Sequence, residues 1–176
     1  MPRNDDEVTD LISDEECPGP ADLESALVLE TLSDVTTQQP LVVTFNSSLA
    51  ETIAAMQDEM RSCALVVEFG RLVGIFTERD VLLRVAGHPI DLERTAVSEY
   101  MTRDPVTLPA DSSVAFALSR MLSEGFRHIP LVDEHGQPIA VVSMRELVQY
   151  LSDFFNRDLL TLPPNGRSNF RNREGA

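Results

Sequence analysis

Thr77 and Asp80 have the residue types and the spacing to hold a sugar phosphate. They follow the apolar run Gly74-Ile75-Phe76, so a strand is expected to end where a helix begins. Residues three apart lie on one side of a helix, and the first N–H groups of a helix attract anions. Thr77 could then hold a phosphate oxygen, and Asp80 could accept two hydrogen bonds from a ribose diol. Taken alone, the string favours a simpler interpretation, a capping box that only fixes the start of the helix.

A second copy of this string lies 66 residues further along the chain. Ala140-Val141-Val142 precedes Ser143, and Glu146 stands where the first copy has Asp80. The hydroxyl is kept, the carboxylate is one methylene longer, and alanine replaces Gly74. The second copy is therefore expected to bind weakly, to bind something else, or to bind nothing.

The two strings belong to a longer duplication of residues 32–82 as residues 97–148. At an offset of 65, Ser47-Ser48 matches Ser112-Ser113, and one inserted residue near His135 moves the offset to 66. A duplicated unit of this size usually cannot bury its apolar face alone and packs against its copy. Function is therefore expected in the clefts between the copies.

Each copy predicts the order β-α-β-β-α. Short apolar runs bounded by turn residues are typical of buried strands, and serine or threonine before an apolar-periodic segment favours a helix start. The predicted elements are lead strands at 41–43 and 106–108, a helix after each serine pair, strands at 63–68, 72–76, 128–132 and 139–142, and helices from Thr77 and Ser143.

The segments outside the repeats differ in composition. The predicted division is an acidic disordered tail at 1–21, a lead-in helix at 22–31, repeat one at 32–90, repeat two at 91–156 and a C-terminal tail at 157–176. Low hydrophobicity with high charge predicts disorder in the first tail. The last segment is basic and carries a Pro-Pro-Asn-Gly turn.

Charge excludes several classes of function. The chain has 29 acidic and 14 basic residues, a net charge of −15, and every basic residue is arginine. A nucleic-acid partner is not expected because its phosphates need a basic footprint, and lysine-dependent chemistry is excluded.

No apolar run approaches the roughly 20 residues of a membrane span, and the acidic start does not resemble a secretion signal. We therefore expect a cytoplasmic protein that does not contact a membrane.

Catalysis and metal binding find little support in the sequence. Cys63 and His128 occupy equivalent positions, and a thiol–imidazole pair is a nucleophile signature. Both fall in predicted buried strands, however, where cysteine usually serves as a small apolar side chain. The three histidines are scattered and make no metal set. The expectation is that the protein is not an enzyme and holds no metal.

Three strings together resemble a tandem pair of CBS domains, often called a Bateman module. They are Gly74–Asp80, Gly125–Val132 and Met101–Val106, and the resemblance covers roughly residues 32–152. It implies an α/β (α+β) fold of two pseudo-symmetric β-α-β-β-α repeats packed through their sheets. It also implies a stand-alone regulatory module that forms a homodimer and binds adenosine-containing ligands between the repeats.

Carried over by position, the resemblance assigns residues to both clefts. In the first cleft Asp80 would hold the ribose and Thr77 a phosphate, Arg79 would be an extra phosphate contact unless it points to solvent, and repeat two would add Thr107, Arg127, His128 and Ile129. Arg127 and His128 could equally be a surface arginine and a packed strand histidine. The second, weaker cleft would use Ser143, Glu146, Val42, Cys63 and Ala64, with no basic group opposite.

Two functions remain open at this point. The first is a sensor that binds AMP, ADP or ATP as its ligand, without a catalytic cofactor, and relays occupancy to an effector protein that the sequence does not identify. The alternative is a dimerisation or interaction module whose clefts have lost ligand binding, since folds are reused without their chemistry.

Overall fold

The computed structural model describes residues 30–36 and 39–159, with side chains up to residue 153. The predicted acidic tail, the lead-in helix up to residue 29 and residues 160–176 lie outside the described residues. Within the described part, no helix is both long and apolar enough to cross a bilayer.

Repeat one follows the predicted order. Its elements are a short helix α1 (Leu32–Val35), β1 (Val42–Thr44), α2 (Leu49–Asp58), β2 (Cys63–Glu68), β3 (Arg71–Thr77) and α3 (Glu78–Asp80), which continues as a π-helical turn over Val81–Val85. Ser48 caps α2 by accepting a hydrogen bond from the Glu51 amide, and the Glu51 carboxylate in turn accepts one from the Ser48 amide. The predicted serine cap is thus confirmed.

Repeat two has the same plan with a shorter lead strand. A 3₁₀ turn (Val97–Glu99) and β4 (Thr102–Arg103) come before the lead strand. After the lead strand come α4 (Val114–Glu124), β5 (His128–Val132), β6 (Pro138–Ser143) and α5 (Met144–Leu159). Ser113 caps α4 through the Phe116 amide.

The predicted lead strand at 106–108 is reduced to one parallel bridge, Leu108 to Leu131. In repeat one the Leu65 amide donates to the Leu41 carbonyl at 2.8 Å. Its counterpart in repeat two is Pro130, which has no N–H to donate. The loss of that hydrogen bond explains why the second lead strand is shorter.

The strands form two sheets that face each other. One has the order β1-β2-β3-β4, with β1 parallel to β2 and the other pairs antiparallel; the second pairs β5 with β6. Cys63, Leu65 and Ile75 lie on the face of the first sheet that packs against Val141 of the second. Packing of the repeats through their sheets is confirmed.

In each repeat the short segment before the lead strand, here called the lead-in segment, packs in the core of the other repeat. Leu32 is fully buried in the core of repeat two, and its amide donates to the Ser112 carbonyl at 2.9 Å. Val97 is fully buried in the core of repeat one, and its amide donates to the Ser47 carbonyl at 2.8 Å. Each lead-in segment therefore completes the core of the other repeat.

Candidate functional site

Thr77 and Asp80 form a closed capping box at the end of β3. Asp80 Oδ2 accepts hydrogen bonds from the Thr77 amide at 3.0 Å and the Thr77 hydroxyl at 2.7 Å, and the Asp80 amide donates to Thr77 Oγ1 at 3.3 Å. The capping interpretation is therefore correct for these two residues. The cap uses only one oxygen of the Asp80 carboxylate, Oδ2, and leaves Oδ1 without a hydrogen bond from the cap.

The second oxygen of Asp80, Oδ1, is open in the sense that it accepts no hydrogen bond from the described residues, although it forms an ion pair with Arg84. Of the groups that the structure describes, none donates a hydrogen bond to Oδ1, although the side chain is only 10% exposed. A nearly buried carboxylate oxygen is a strong acceptor for a hydroxyl. Asp80 can thus take a further hydrogen bond without losing its cap.

Sequence reasoning missed Arg84, which is the cation nearest to that oxygen. Arg84 Nη1 lies 3.5 Å from Asp80 Oδ1 and donates to the carbonyl oxygens of Tyr100 at 3.0 Å and Met101 at 3.4 Å. The four-residue spacing from Asp80 was a usable signal, because such residues are neighbours on a helix.

His128 lies where the two repeats meet. Its Nε2 and Ser62 Oγ are 2.7 Å apart, in a partly buried hydrogen bond between the repeats. Burial lowers the pKa of the His128 imidazole; the Glu78 and Glu146 carboxylates act in the opposite direction, and Arg127 lowers it further. His128 is therefore a neutral contact between repeats, and its Nε2 is already in use.

The other residues assigned to the first cleft differ in accessibility. Arg79 and Arg127 are exposed and Thr107 is half-buried. Ile129 is fully buried in the core of repeat two, so its side chain is not available to a ligand and only its backbone could contribute.

The second cleft repeats the capping box with a longer side chain. Glu146 Oε2 accepts from the Ser143 amide and hydroxyl, both at 2.7 Å, and the Glu146 amide donates to Ser143 Oγ at 3.2 Å. The extra methylene is thus accommodated without loss of the cap. The arginine at position 84 is not repeated, because the matching residue is Tyr150.

The repeat-one residues assigned to the second cleft offer little chemistry. Ala64 is fully buried in the core of its own repeat, and Val42 is exposed on β1. Cys63 is buried between the sheets, and that burial, aided by the Glu146 charge, raises the pKa of its thiol to about 12. A thiolate nucleophile is not favoured in this setting.

Among the described residues, no group of three or more His, Cys, Asp or Glu side chains is arranged to hold a metal ion.

The CBS domain family model matches residues 32–87 and 97–153, the two repeats described above. The chain belongs to the CBS-domain family. A 17.7 kDa protein from the bps2 3′ region of Acidianus ambivalens is similar to this CBS pair at 34% identity over 123 residues, or 69% of this chain and 73% of that protein. The meiotically up-regulated gene 70 protein of Schizosaccharomyces pombe is 33% identical over 123 residues. That match is 70% of this chain but 17% of the relative, so the CBS pair spans about a sixth of that protein's length.

Solved CBS structures have the same fold. A CBS domain from a membrane protein of Sphaerobacter thermophilus has a TM-score of 0.61 at 26% identity, covering 71% of this chain and 90% of that one. The CBS pair of protein MJ0100, in complex with 5′-methylthioadenosine and S-adenosylmethionine, has a TM-score of 0.62 at 21% identity, covering 69% and 99%. Both neighbours, with TM-scores of 0.62 and 0.61, share the CBS fold of this chain.

Proposed function

We propose that this CBS pair binds an adenine nucleotide, AMP, ADP or ATP, in the cleft at Asp80 and relays occupancy to an effector protein. The observation that carries the proposal is the open Oδ1 of Asp80, a nearly buried carboxylate oxygen held in place by the Thr77 cap. A ribose hydroxyl donating to Oδ1 would complete the hydrogen bonding of that carboxylate.

Phosphate groups would be met by arginine. Arg79 and Arg127 are exposed on the two repeats that border this cleft, and arginine binds phosphate through its fork of donors. The CBS pair of MJ0100 forms a complex with two adenosine-containing ligands, which supports this class of ligand. For this chain the nucleotide is our proposal.

The test is calorimetric titration of ligand-stripped protein with AMP, ADP and ATP. Asp80→Asn keeps an oxygen that can accept from the Thr77 amide but removes the charge, so it tests the site without removing the cap. Losing a charged hydrogen-bond partner is worth about 1.5–3 kcal/mol, which predicts roughly ten- to a hundredfold weaker binding. Glu146→Gln, the same change in the second cleft, should leave the strong site unchanged.

The alternative is an interaction module without a ligand. It is favoured by one observation, the mutual hydrogen bonds of Thr77 and Asp80, which give both side chains a structural role. No heat with any of the three nucleotides would support this alternative, whereas equal affinities in wild type and Asp80→Asn would contradict the assignment of the ribose to Asp80.

We further propose that the module is a cytoplasmic homodimer. The proposed dimer surface consists of exposed apolar side chains on the helices of both repeats. They are Leu82, Leu83, Phe116, Leu122 and Val148. Sedimentation velocity of the wild type and of Leu82→Glu tests the dimer, which this charge is expected to dissociate.

A further inference from the structure

Arg84 lies where the proposed nucleotide cleft meets residues 99–104 at the start of repeat two, a segment here called the linker. One guanidinium nitrogen, Nη1, faces Asp80 Oδ1 at 3.5 Å and donates to the carbonyl oxygens of Tyr100 and Met101. These two residues lie in the linker that enters repeat two. The same positive group therefore holds the carboxylate and the linker together.

The linker has little freedom to move independently of the site. Met101 is buried against Gly74, where an added Cβ would overlap the methionine sulfur. Thr102 and Arg103, the next two residues, pair with Ile75 and Gly74 of β3. β3, which ends at the Thr77 cap, is therefore also the strand that pairs with the linker.

Arg84 is the cation beside the oxygen that would take the ligand hydroxyl. The Asp80 side chain is 10% exposed, whereas the Arg84 side chain beside it is 49% exposed. A ligand hydroxyl that binds Oδ1 would therefore come close to the Arg84 guanidinium. The contact of Arg84 with Asp80 is an ion pair without a hydrogen bond, and its arginine is half-exposed, so it contributes little free energy. Moving the guanidinium then costs mainly its two hydrogen bonds to the Tyr100 and Met101 carbonyls.

We infer that Arg84 is a relay that forms an ion pair with Asp80 and transmits nucleotide binding to the linker. This inference rests on the proposed nucleotide function. When the ribose hydroxyl takes Oδ1, the guanidinium moves away, and its hydrogen bonds to the Tyr100 and Met101 carbonyls are lost. The linker then loosens at the entrance to repeat two.

The relay is restricted to the first cleft. In repeat two Tyr150 occupies the position of Arg84, so Glu146 has no arginine one helical turn after it. Both capping boxes have the same hydrogen bonds, but without an arginine beside Glu146 the second cleft cannot respond in this way.

The test compares Arg84→Met with wild type in two measurements, AMP affinity by calorimetry and amide hydrogen exchange of residues 99–104 with and without AMP. Without the guanidinium, AMP should bind Arg84→Met about two- to fivefold more tightly, because no ion pair has to be broken. AMP should quicken linker exchange in wild type and leave it unchanged in Arg84→Met. A purely structural arginine would not give tighter binding when removed.

Two further variants complete the experiment. Arg84→Lys keeps a positive charge near Asp80 and should return the affinity towards the wild-type value. Arg94→Met is the matched control, because it removes an exposed arginine shortly before the linker and should change neither measurement. Circular dichroism checks that all variants are folded.

The outcomes separate the relay from the function on which it rests. If wild type binds AMP but Arg84→Met binds it equally or more weakly, or still shows the linker response, the relay is overturned and the nucleotide function stands. If neither wild type nor Arg84→Met binds AMP, ADP or ATP, the function and the relay are both overturned.

Discussion

Ser62 Oγ and His128 Nε2 lie 2.7 Å apart and join the two repeats through one side-chain hydrogen bond. The same pair of residues does not occur at the symmetry-related positions, because the residues that match Ser62 and His128 in the other repeat are Arg127 and Cys63.

Ser62→Ala should lower the free energy of unfolding by about 1 kcal/mol. The substitution removes a partly buried hydrogen bond and leaves the imidazole without that partner. Urea denaturation measures the change. Ser119→Ala, on the exposed face of α4, should stay within about 0.5 kcal/mol of wild type, and an equal loss in both variants would contradict the assigned role.

Stability should decrease when the pH is lowered through the titration range of His128. Burial lowers the pKa of this imidazole in the folded protein below its ordinary value, so the unfolded chain binds more protons between the two pKa values. The contribution is complete above pH about 6.5 and declines below it. His128→Gln should flatten this slope in urea denaturation at pH 7.5 and 5.5, whereas exposed His88→Gln should keep it.

The Cys63 thiol should be nearly inert in the folded protein. Its pKa is raised to about 12, which reduces the thiolate fraction about a thousandfold relative to an ordinary thiol. The chain has one other cysteine, Cys17, which the test replaces by serine. In this Cys17→Ser background, alkylation by iodoacetamide at pH 8 should be slow until urea unfolds the chain. Rapid alkylation of the folded protein would revive the thiol–imidazole hypothesis.

Gly74→Ala should destabilise the protein by about 1–3 kcal/mol, the usual cost of overpacking a core. The new methyl group would meet the Met101 side chain, whose Cγ lies 2.9 Å from the Cβ position. In a Met101→Ala background the same substitution should cost much less. Thermal denaturation of the four proteins gives the coupling, and additive effects would show that the two residues do not meet.

Most of the fold could be predicted from the sequence because the same pattern of helices and strands occurs in both copies. The offset between the copies fixes the helices after Ser48 and Ser113 and the strand pairs of both repeats, and the structure confirms them. The lead strand at 106–108 was predicted too long by the same logic, since the structure keeps only the parallel bridge of Leu108 with Leu131. A repeat in sequence pattern does not guarantee a repeat in hydrogen bonds, and one proline at position 130 removes the amide on which the pairing depends.

The candidate site was predictable only in part. The spacing of Thr77 and Asp80 indicates their mutual cap, which the structure contains. It cannot indicate which carboxylate oxygen stays open, because that depends on side-chain rotation. The contact of Arg84 with the linker was also out of reach, since Tyr100 and Met101 are 16 and 17 residues away and approach only through the pairing of β3 with β4.

Because each lead-in segment packs in the core of the other repeat, the pair of repeats, and not the single repeat, is the smallest gene fragment that encodes complete cores. A gene fragment ending before Thr95 would lack Val97 and leave a gap in the core of repeat one. A fragment starting after Val35 would remove Leu32 from the core of repeat two. Recombination that shuffles such modules between proteins would preserve folding only by moving both repeats with the segments before them, and truncations for crystallography should respect the same limits.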